Sequence, residues 1–222
     1  MKHLKRYREL FESEHTLTPE QIEWLDKCTK GTWSLNSETG LVDVDGTFYW
    51  GKNQHKKSLK DFKGVRFGMV TGDFYCNWGS LTNLKGAPQE VGGDFRCDYS
   101  RLTSLEGAPQ EVGRYFNCSN NSLTTLEGAP KKVEGGFWCE YNSLTTLEGA
   151  PQEVGGSFNC NGNSLTSLKG APQEVGEHFF CSANPVSEST LKKIWKEMKT
   201  GFTYIEALKR VALDIPKKDW DL

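Results

Sequence analysis

Residues 122–142 read SLTTLEGAPKKVEGGFWCEYN, and residues 143–163 read SLTTLEGAPQEVGGSFNCNGN. The second stretch repeats the first 21 residues later, with the differences gathered at a few positions. Self-similarity at a fixed period of this length is the signature of a stacked repeat architecture. The register extends well beyond this pair. Cys76, Cys97, Cys118, Cys139, Cys160 and Cys181 lie 21 residues apart, and Phe74, Phe95, Phe116, Phe137, Phe158 and Phe179 stand two before each. Leu81, Leu102, Leu123, Leu144 and Leu165 follow, with Val186 in the sixth place. Leu84, Leu105, Leu126, Leu147 and Leu168 come three later, then Gly-Ala-Pro, then Val91, Val112, Val133, Val154 and Val175. A unit with five apolar side chains cannot offset the entropy of ordering its own backbone. Stacked neighbours must cover each unit's core, so the repeat is a solenoid.

Phe116 to Leu126 follows Phe-x-Cys-x-x-Asn-x-Leu-x-x-Leu, the pattern of a leucine-rich repeat with Phe and Cys in place of the two strand leucines. Asn121, Asn142, Asn163 and Asn184 hold the Asn position, where amides can satisfy the backbone of the turn leaving each strand. Gly79 and Ser100 depart there, so this ladder should weaken toward the N-terminus. The rival is a three-sided parallel β-helix, against which Gly-Ala-Pro argues. The expectation is an α+β solenoid of the leucine-rich repeat class. It has one parallel β-sheet of about seven short strands, a helical N-terminal segment and a helical C-terminal cap.

Four regions follow. Residues 1–31 read as helical, with Leu4, Tyr7 and Phe11 at helical spacing. A second helix in that region begins at Thr18-Pro19-Glu20-Gln21, where Thr18 caps, Pro19 takes the first position and Gln21 completes a capping box. Gly31 stops it. Residues 32–71 form a β cap and a divergent first coil. Trp33 to Trp50 is a strand-turn-strand about Ser37-Glu38-Thr39-Gly40, and Phe48-Tyr49-Trp50 is a degenerate Phe-x-Cys. A basic excursion spans Gln54 to Lys57, and Leu59, Phe62 and Gly64 echo Leu81, Leu84 and Gly86. Residues 72–186 are the solenoid, and 187–222 a cap of two helices broken at Gly201.

The chain of 222 residues has a formal net charge of −2, which gives no electrostatic reason for nucleic acid as the main partner. No apolar run approaches the ~20 residues of a membrane span, and the first ten residues lack the apolar region of a secretory signal. Six of the seven cysteines are explained by the period as small buried hydrophobes, which suits a reducing interior. No metal or cofactor is expected. Asp43-Val44-Asp45-Gly46 resembles a calcium-loop fragment but lacks the later ligands, and it reads as a turn. The four histidines are scattered, no phosphate loop is present, and an enzyme is not expected.

Strand side chains alternate, so the residues flanking Phe and Cys point outward, and there the copies differ. The first coil carries Asp73, Tyr75, Asn77 and Trp78; the next Asp94, Arg96, Asp98 and Tyr99. Then come Tyr115 and Asn117; Trp138, Glu140 and Tyr141; Asn159; and finally His178 and Phe180. Exposed aromatics with an Arg are the residue types enriched at binding hot spots. The expected function is a non-enzymatic protein-binding surface on the concave sheet face. Gln-Glu-Val-Gly, copied nearly unchanged, reads as a uniform loop face.

WSLNSETGLVDVDG (33–46), the repeats and NPVSESTLKKI (184–194) together resemble a family of leucine-rich repeat proteins encoded by large tailed bacteriophages. The resemblance implies a phage protein in the bacterial cytoplasm or in the particle; the partner expected on the concave face is a host or phage protein. It supplies no activity. MKHLKRYRELFESE also looks like the capsid-targeting peptides of internal head proteins in myovirus-type phages, which are cut after (Leu/Ile)-x-Glu. That second resemblance implies cleavage between Glu12 and Ser13, removing residues 1–12, and a structural role in the particle as the alternative function.

Overall fold

The computed structural model describes residues 15–50 and 61–187, together with Ser189 and Lys192. The expected first helix, the Glu12–Ser13 cleavage site, the basic excursion and, apart from the helical Ser189 and Lys192, the two C-terminal helices therefore lie outside the described residues.

The chain enters through the helix Pro19–Cys28, capped as its sequence requires. Thr18 Oγ1 accepts from the Gln21 amide, and the Gln21 side chain accepts from the Thr18 amide. The helix ends at Cys28, earlier than expected, and passes directly into strand β1 (Thr29–Leu35). Gly31 is thus a strand residue, paired with Gly46 across an antiparallel hairpin with β2 (Val42–Tyr49). A Cβ at Gly31 would lie 2.1 Å from the Asp45 carbonyl oxygen, so close approach of two backbones, and not helix termination, demands glycine there. Asp43-Val44-Asp45-Gly46 is likewise strand and not turn; its carboxylates are consumed locally, Asp43 by the Met69 amide and Asp45 by the Thr71 hydroxyl.

Beyond the hairpin the chain is a parallel β-solenoid of about six turns with a 21-residue step. Each turn contributes two short strands. One ladder contains β4 (Phe74–Tyr75), β6 (Phe95–Arg96), β8 (Phe116–Asn117), β10 (Phe137–Trp138), β12 (Phe158–Asn159) and β14 (Phe179–Phe180). The other contains β3 (Phe67–Val70), β5 (Glu90–Val91), β7 (Glu111–Val112), β9 (Lys132–Val133), β11 (Glu153–Val154) and β13 (Glu174–Val175). The long strand β2 starts both ladders, since Val42 pairs with Phe67 and Phe48 with Phe74. The degenerate Phe48-Tyr49-Trp50 therefore occupies the place its sequence suggested.

The second ladder, joined to the first through β2 in one sheet, stands where a loop face was expected and brings the strands beyond the expected seven. The Gln-Glu-Val-Gly segment is uniform because stacking constrains it. A Cβ on Gly113 would lie 2.2 Å from the carbonyl oxygen of Gly92 in the preceding turn, and one on Gly155 2.1 Å from that of Glu134. Where Glu134 replaces the glycine, its amide donates to the Val112 carbonyl of the turn before at 3.2 Å, against 2.8 Å from Gly113 to Val91.

The core follows the period. The phenylalanines stack ring on ring from turn to turn at centroid separations of 5.1–5.6 Å. Cysteine is used because it is small and carries a weak donor. The Cys118 amide and thiol both donate to the Trp138 carbonyl, at 2.9 and 3.4 Å, and Cys76, Cys97, Cys139 and Cys160 repeat the arrangement. All seven cysteines are free thiols. Burial pushes the Cys28 thiol up to about 11 and the thiols of the central ladder higher still, which keeps them protonated and unreactive.

The asparagine amides do what their position suggested. Asn142 Nδ2 donates to the carbonyls of Cys139 in its own turn and Cys118 in the turn before, both at 3.1 Å, while its Oδ1 accepts from the Leu123 amide at 3.0 Å. Asn121, Asn163 and Asn184 do the same. Ser100 stands in that place one turn earlier and leaves its hydroxyl buried without a partner among the described residues. Asn142→Ala is expected to lower stability by about 1–3 kcal/mol, because the Leu123 amide loses its partner, while the Cys118 and Cys139 carbonyls each keep one bond, from Asn121 and Asn163. Urea unfolding checks it, with the exposed Ser143→Ala as the comparison, expected within about 0.5 kcal/mol of the parent.

Candidate functional site

The candidate residues fall on the outer side of the Phe ladder, in three rows parallel to the solenoid axis. The first row follows each Phe: Tyr75, Arg96, Asn117, Trp138, Asn159 and Phe180. The second follows each Cys: Asn77, Asp98, Ser119, Glu140, Asn161 and Ser182. The third is the next residue: Trp78, Tyr99, Asn120, Tyr141, Gly162 and Ala183. Ladder bonds continue through this third row, as from the Tyr99 amide to the Ser119 carbonyl at 3.1 Å.

The third row has a property not anticipated from the sequence. Trp78, Tyr99, Asn120, Tyr141 and Ala183 all have φ between 52° and 59°, and Gly162 has 63°. This is the left-handed region, where a bulky side chain costs about 1–2 kcal/mol and Gly or Asn much less. The occurrence of Asn120 and Gly162 in the row was the available signal. Three of the six places nonetheless carry large aromatics, and these are among the most exposed large side chains of the fold: Trp78 54%, Tyr99 45% and Tyr141 61%. Trp78 and Tyr99 stack face to face at 4.0 Å, 4° from parallel. Tyr141 lies over Gly162, whose added Cβ would come within 2.7 Å of the ring.

The first two rows are partly a closed polar floor. Asp98 is 1% exposed and Asn117 6%. Arg96 grips Asp98 with Nε at 3.1 Å and a second nitrogen at 3.3 Å, and Asn77 adds a bond at 3.5 Å. Burial opposes the Arg96 charge, but the Asp98 hydrogen bond and charge more than offset it and raise the guanidinium above its ordinary value. Asn117 turns its Oδ1 onto the Ser119 amide at 2.9 Å. These two residues support the surface instead of presenting themselves on it. Asp73 accepts from the Tyr75 hydroxyl at 3.0 Å and from the Asp94 amide at 2.8 Å. Burial, then the bond to Asp73, pushes the Tyr75 hydroxyl up to about 12. Asp94 faces Arg114 at 3.6 Å. Tyr115 and Trp138 touch at 5.1 Å, and His178 and Phe180 at 5.6 Å. Tyr115, His178 and Phe180 are exposed, and Asn159 is half-buried.

Glu140 is different. Its Oε2 is buried with no partner among the described residues. Its carboxyl is pushed above the ordinary range, first by burial and then by the charge of Asp98.

Hollows in the surface run along the other ladder. One of about 510 Å³ is bounded by Met69, Glu90, Glu111 and Lys132; a second of about 430 Å³ lies between it and the hairpin, beside Trp33 and Asp43. The Phe-ladder face thus offers broad contact, while the described hollows offer enclosure elsewhere. Among the described residues no cluster of His, Cys, Asp or Glu is placed to hold a metal ion, and no helix is long and apolar enough to cross a membrane. Comparison with protein-family models, curated proteins and solved structures finds no match for this chain.

Two outcomes are expected. Tyr141→Asn, which places a residue tolerant of the left-handed conformation, should hold or raise stability by up to about 1 kcal/mol, as Asn120 does at the same position one turn earlier; a loss in urea unfolding would contradict the assignment of strain. Glu140→Gln should stabilise the protein in a pH-dependent way. A carboxyl raised in the folded state holds more protons folded than unfolded between its ordinary and raised values. Stability then falls as pH climbs through that window, and the loss persists above it. The variant's advantage over the parent should be full above that window and fade below the ordinary carboxyl range, where both states are protonated.

Proposed function

We propose that the protein is a non-enzymatic binding protein that grips another protein on the outer face of its Phe ladder. The observation carrying this reading is the third row: strained left-handed aromatics left in solvent, two of them stacked. Core packing has no use for them, and Gly or Asn would relieve the strain. Strain retained at exposed hot-spot residue types points to a contact surface. Six turns at about 4.8 Å give a face long enough for a protein partner.

The solenoid is read as leucine-rich repeat in class, on the strength of its Asn turn and paired leucines, with the Glu-Val ladder as an addition. The resemblance to proteins of large tailed bacteriophages supports a phage protein in the bacterial cytoplasm; a host or phage protein is the partner proposed for the face, and inhibition of a host factor is one outcome of that binding. The alternative, a particle-associated protein directed by a cleavable N-terminal peptide, is favoured by Leu10-Phe11-Glu12 alone.

The test is a tagged pull-down with the full chain from host lysate, with and without phage infection. It runs beside the triple variant Trp78→Asn, Tyr99→Asn and Tyr141→Asn, whose fold is checked by circular dichroism. A protein retained by the parent and lost by the folded variant is the expected result. Identical capture by both, or capture by neither, would sink the reading.

A further inference from the structure

The carboxylates of the Phe-ladder face are not equivalent. Toward the N-terminal end each is already satisfied. Asp73 holds a hydroxyl and an amide, Asp94 faces Arg114, and Asp98 is clamped by Arg96. The arginines of this face are thereby used. One turn beyond Ser119 stands Glu140, with a buried carboxylate oxygen that no described residue serves. Ser119 is 2% exposed, and its hydroxyl oxygen is also buried without a partner among the described residues. The two residues hold equivalent places in adjacent strands, and the ladder bond from the Asn120 amide to the Glu140 carbonyl at 2.9 Å fixes their register. Side chains in this row turn to the outer face, because Cys118 and Cys139 turn inward.

Two aromatic residues stand beside Glu140 along its own strand on this face. Trp138 is two residues before Glu140 on the same face and half-buried against Tyr115. Tyr141 follows Glu140 and is exposed. An unpaired carboxylate beside aromatic residues is the chemistry that recognises a guanidinium. Its planar fork pairs with a carboxylate through parallel N–H donors, and its face stacks on aromatic rings. A buried acceptor without a donor is costly to the free protein. An arriving donor would remove that cost.

We propose that Glu140 and Ser119, with Trp138 and Tyr141 beside Glu140, form the specificity site of this face and take an arginine side chain of the protein partner. This rests on the reading of the face as a protein-binding surface and names the chemistry of its partner. A rotation about the Glu140 side chain brings Oε2 to the guanidinium, and Ser119 Oγ accepts a further N–H. The other ladder is also rich in carboxylates, at Glu90, Glu111, Glu153 and Glu174. General attraction of cations to that ladder is the competing explanation, and the test separates the two.

An oligoarginine peptide is titrated against the full chain by calorimetry and by tryptophan fluorescence, with oligoglutamate of equal length as the control. The parent binds oligoarginine only. Glu140→Gln, which folds at least as stably, weakens that binding by about tenfold or more, the loss expected of a charge-assisted contact. Glu153→Gln, on the other ladder, changes it less than twofold. Equal binding by parent and Glu140→Gln, equal losses in both variants, or no binding by the parent would each overturn the proposal. The pull-down keeps this failure distinct from that of the underlying reading. A partner lost by the triple aromatic variant but kept by Glu140→Gln leaves the face as a binding surface and removes the arginine site. A partner kept by both removes the surface as well.

Discussion

One side-chain amide, repeated turn after turn, holds the structure in register. Asn142 closes its own turn through the Cys139 carbonyl, ties to the turn before through the Cys118 carbonyl, and accepts the amide of Leu123. A backbone that bends away from a strand toward a buried leucine would otherwise bury polar groups with nothing to bond, and each would cost about 1–3 kcal/mol. Each amide serves one Leu amide and shares each Cys carbonyl with the asparagine of the adjacent turn. With the turns locked together, the other periodic choices follow. Flat rings stack, a small thiol shares a carbonyl with its own amide, and glycine becomes compulsory where one turn's Cβ would strike the carbonyl of the turn before.

The same stacking divides the surface in two. The Glu-Val ladder has little freedom, because its glycines pack against backbone. The Phe ladder has freedom on its outer side, and there the chain varies. What it places there is not neutral. A partly exposed Arg96 clamps the buried Asp98 with two nitrogens, where a fully exposed pair would contribute little. Trp78, Tyr99 and Tyr141 occupy a conformation that the sequence itself satisfies more cheaply at Asn120 and Gly162. Glu140 and Ser119 leave buried oxygens without a partner among the described residues. These are departures from the packing logic that governs the other positions, and they fall on one face.

Much of this was legible in the residues. The 21-residue period, the inward Phe, Cys and Leu positions, the amide role of the asparagines and the capping box at Thr18 could be read because each depends on local pattern. Val186 in the place of leucine is buried as its register required. The Glu-Val ladder escaped notice because two residues are too few to show alternation, and Gly-Ala-Pro beside them suggested loop. Asp43 to Gly46 looked like a turn because its residue types favour turns; tertiary pairing with Thr29 to Leu35 overrode that preference. The burial of Asp98 and Asn117 was hidden because alternation tells which side a residue faces, not what its neighbours cover. The left-handed row was signalled only by one Asn and one Gly among aromatics.

The central claim, that the asparagine amide locks turn to turn, is tested most directly by amide hydrogen exchange. Leu102, Leu123, Leu144 and Leu165 each donate to an Asn Oδ1 at 3.0–3.1 Å. Leu81 has the same place in its turn but faces Ser100, where no Asn stands. The amides of Leu102, Leu123 and Leu144 should exchange at least about tenfold more slowly than that of Leu81, the difference one buried hydrogen bond makes. Equal exchange at all four would mean that the apolar stack alone sets the register, and that the asparagines follow it.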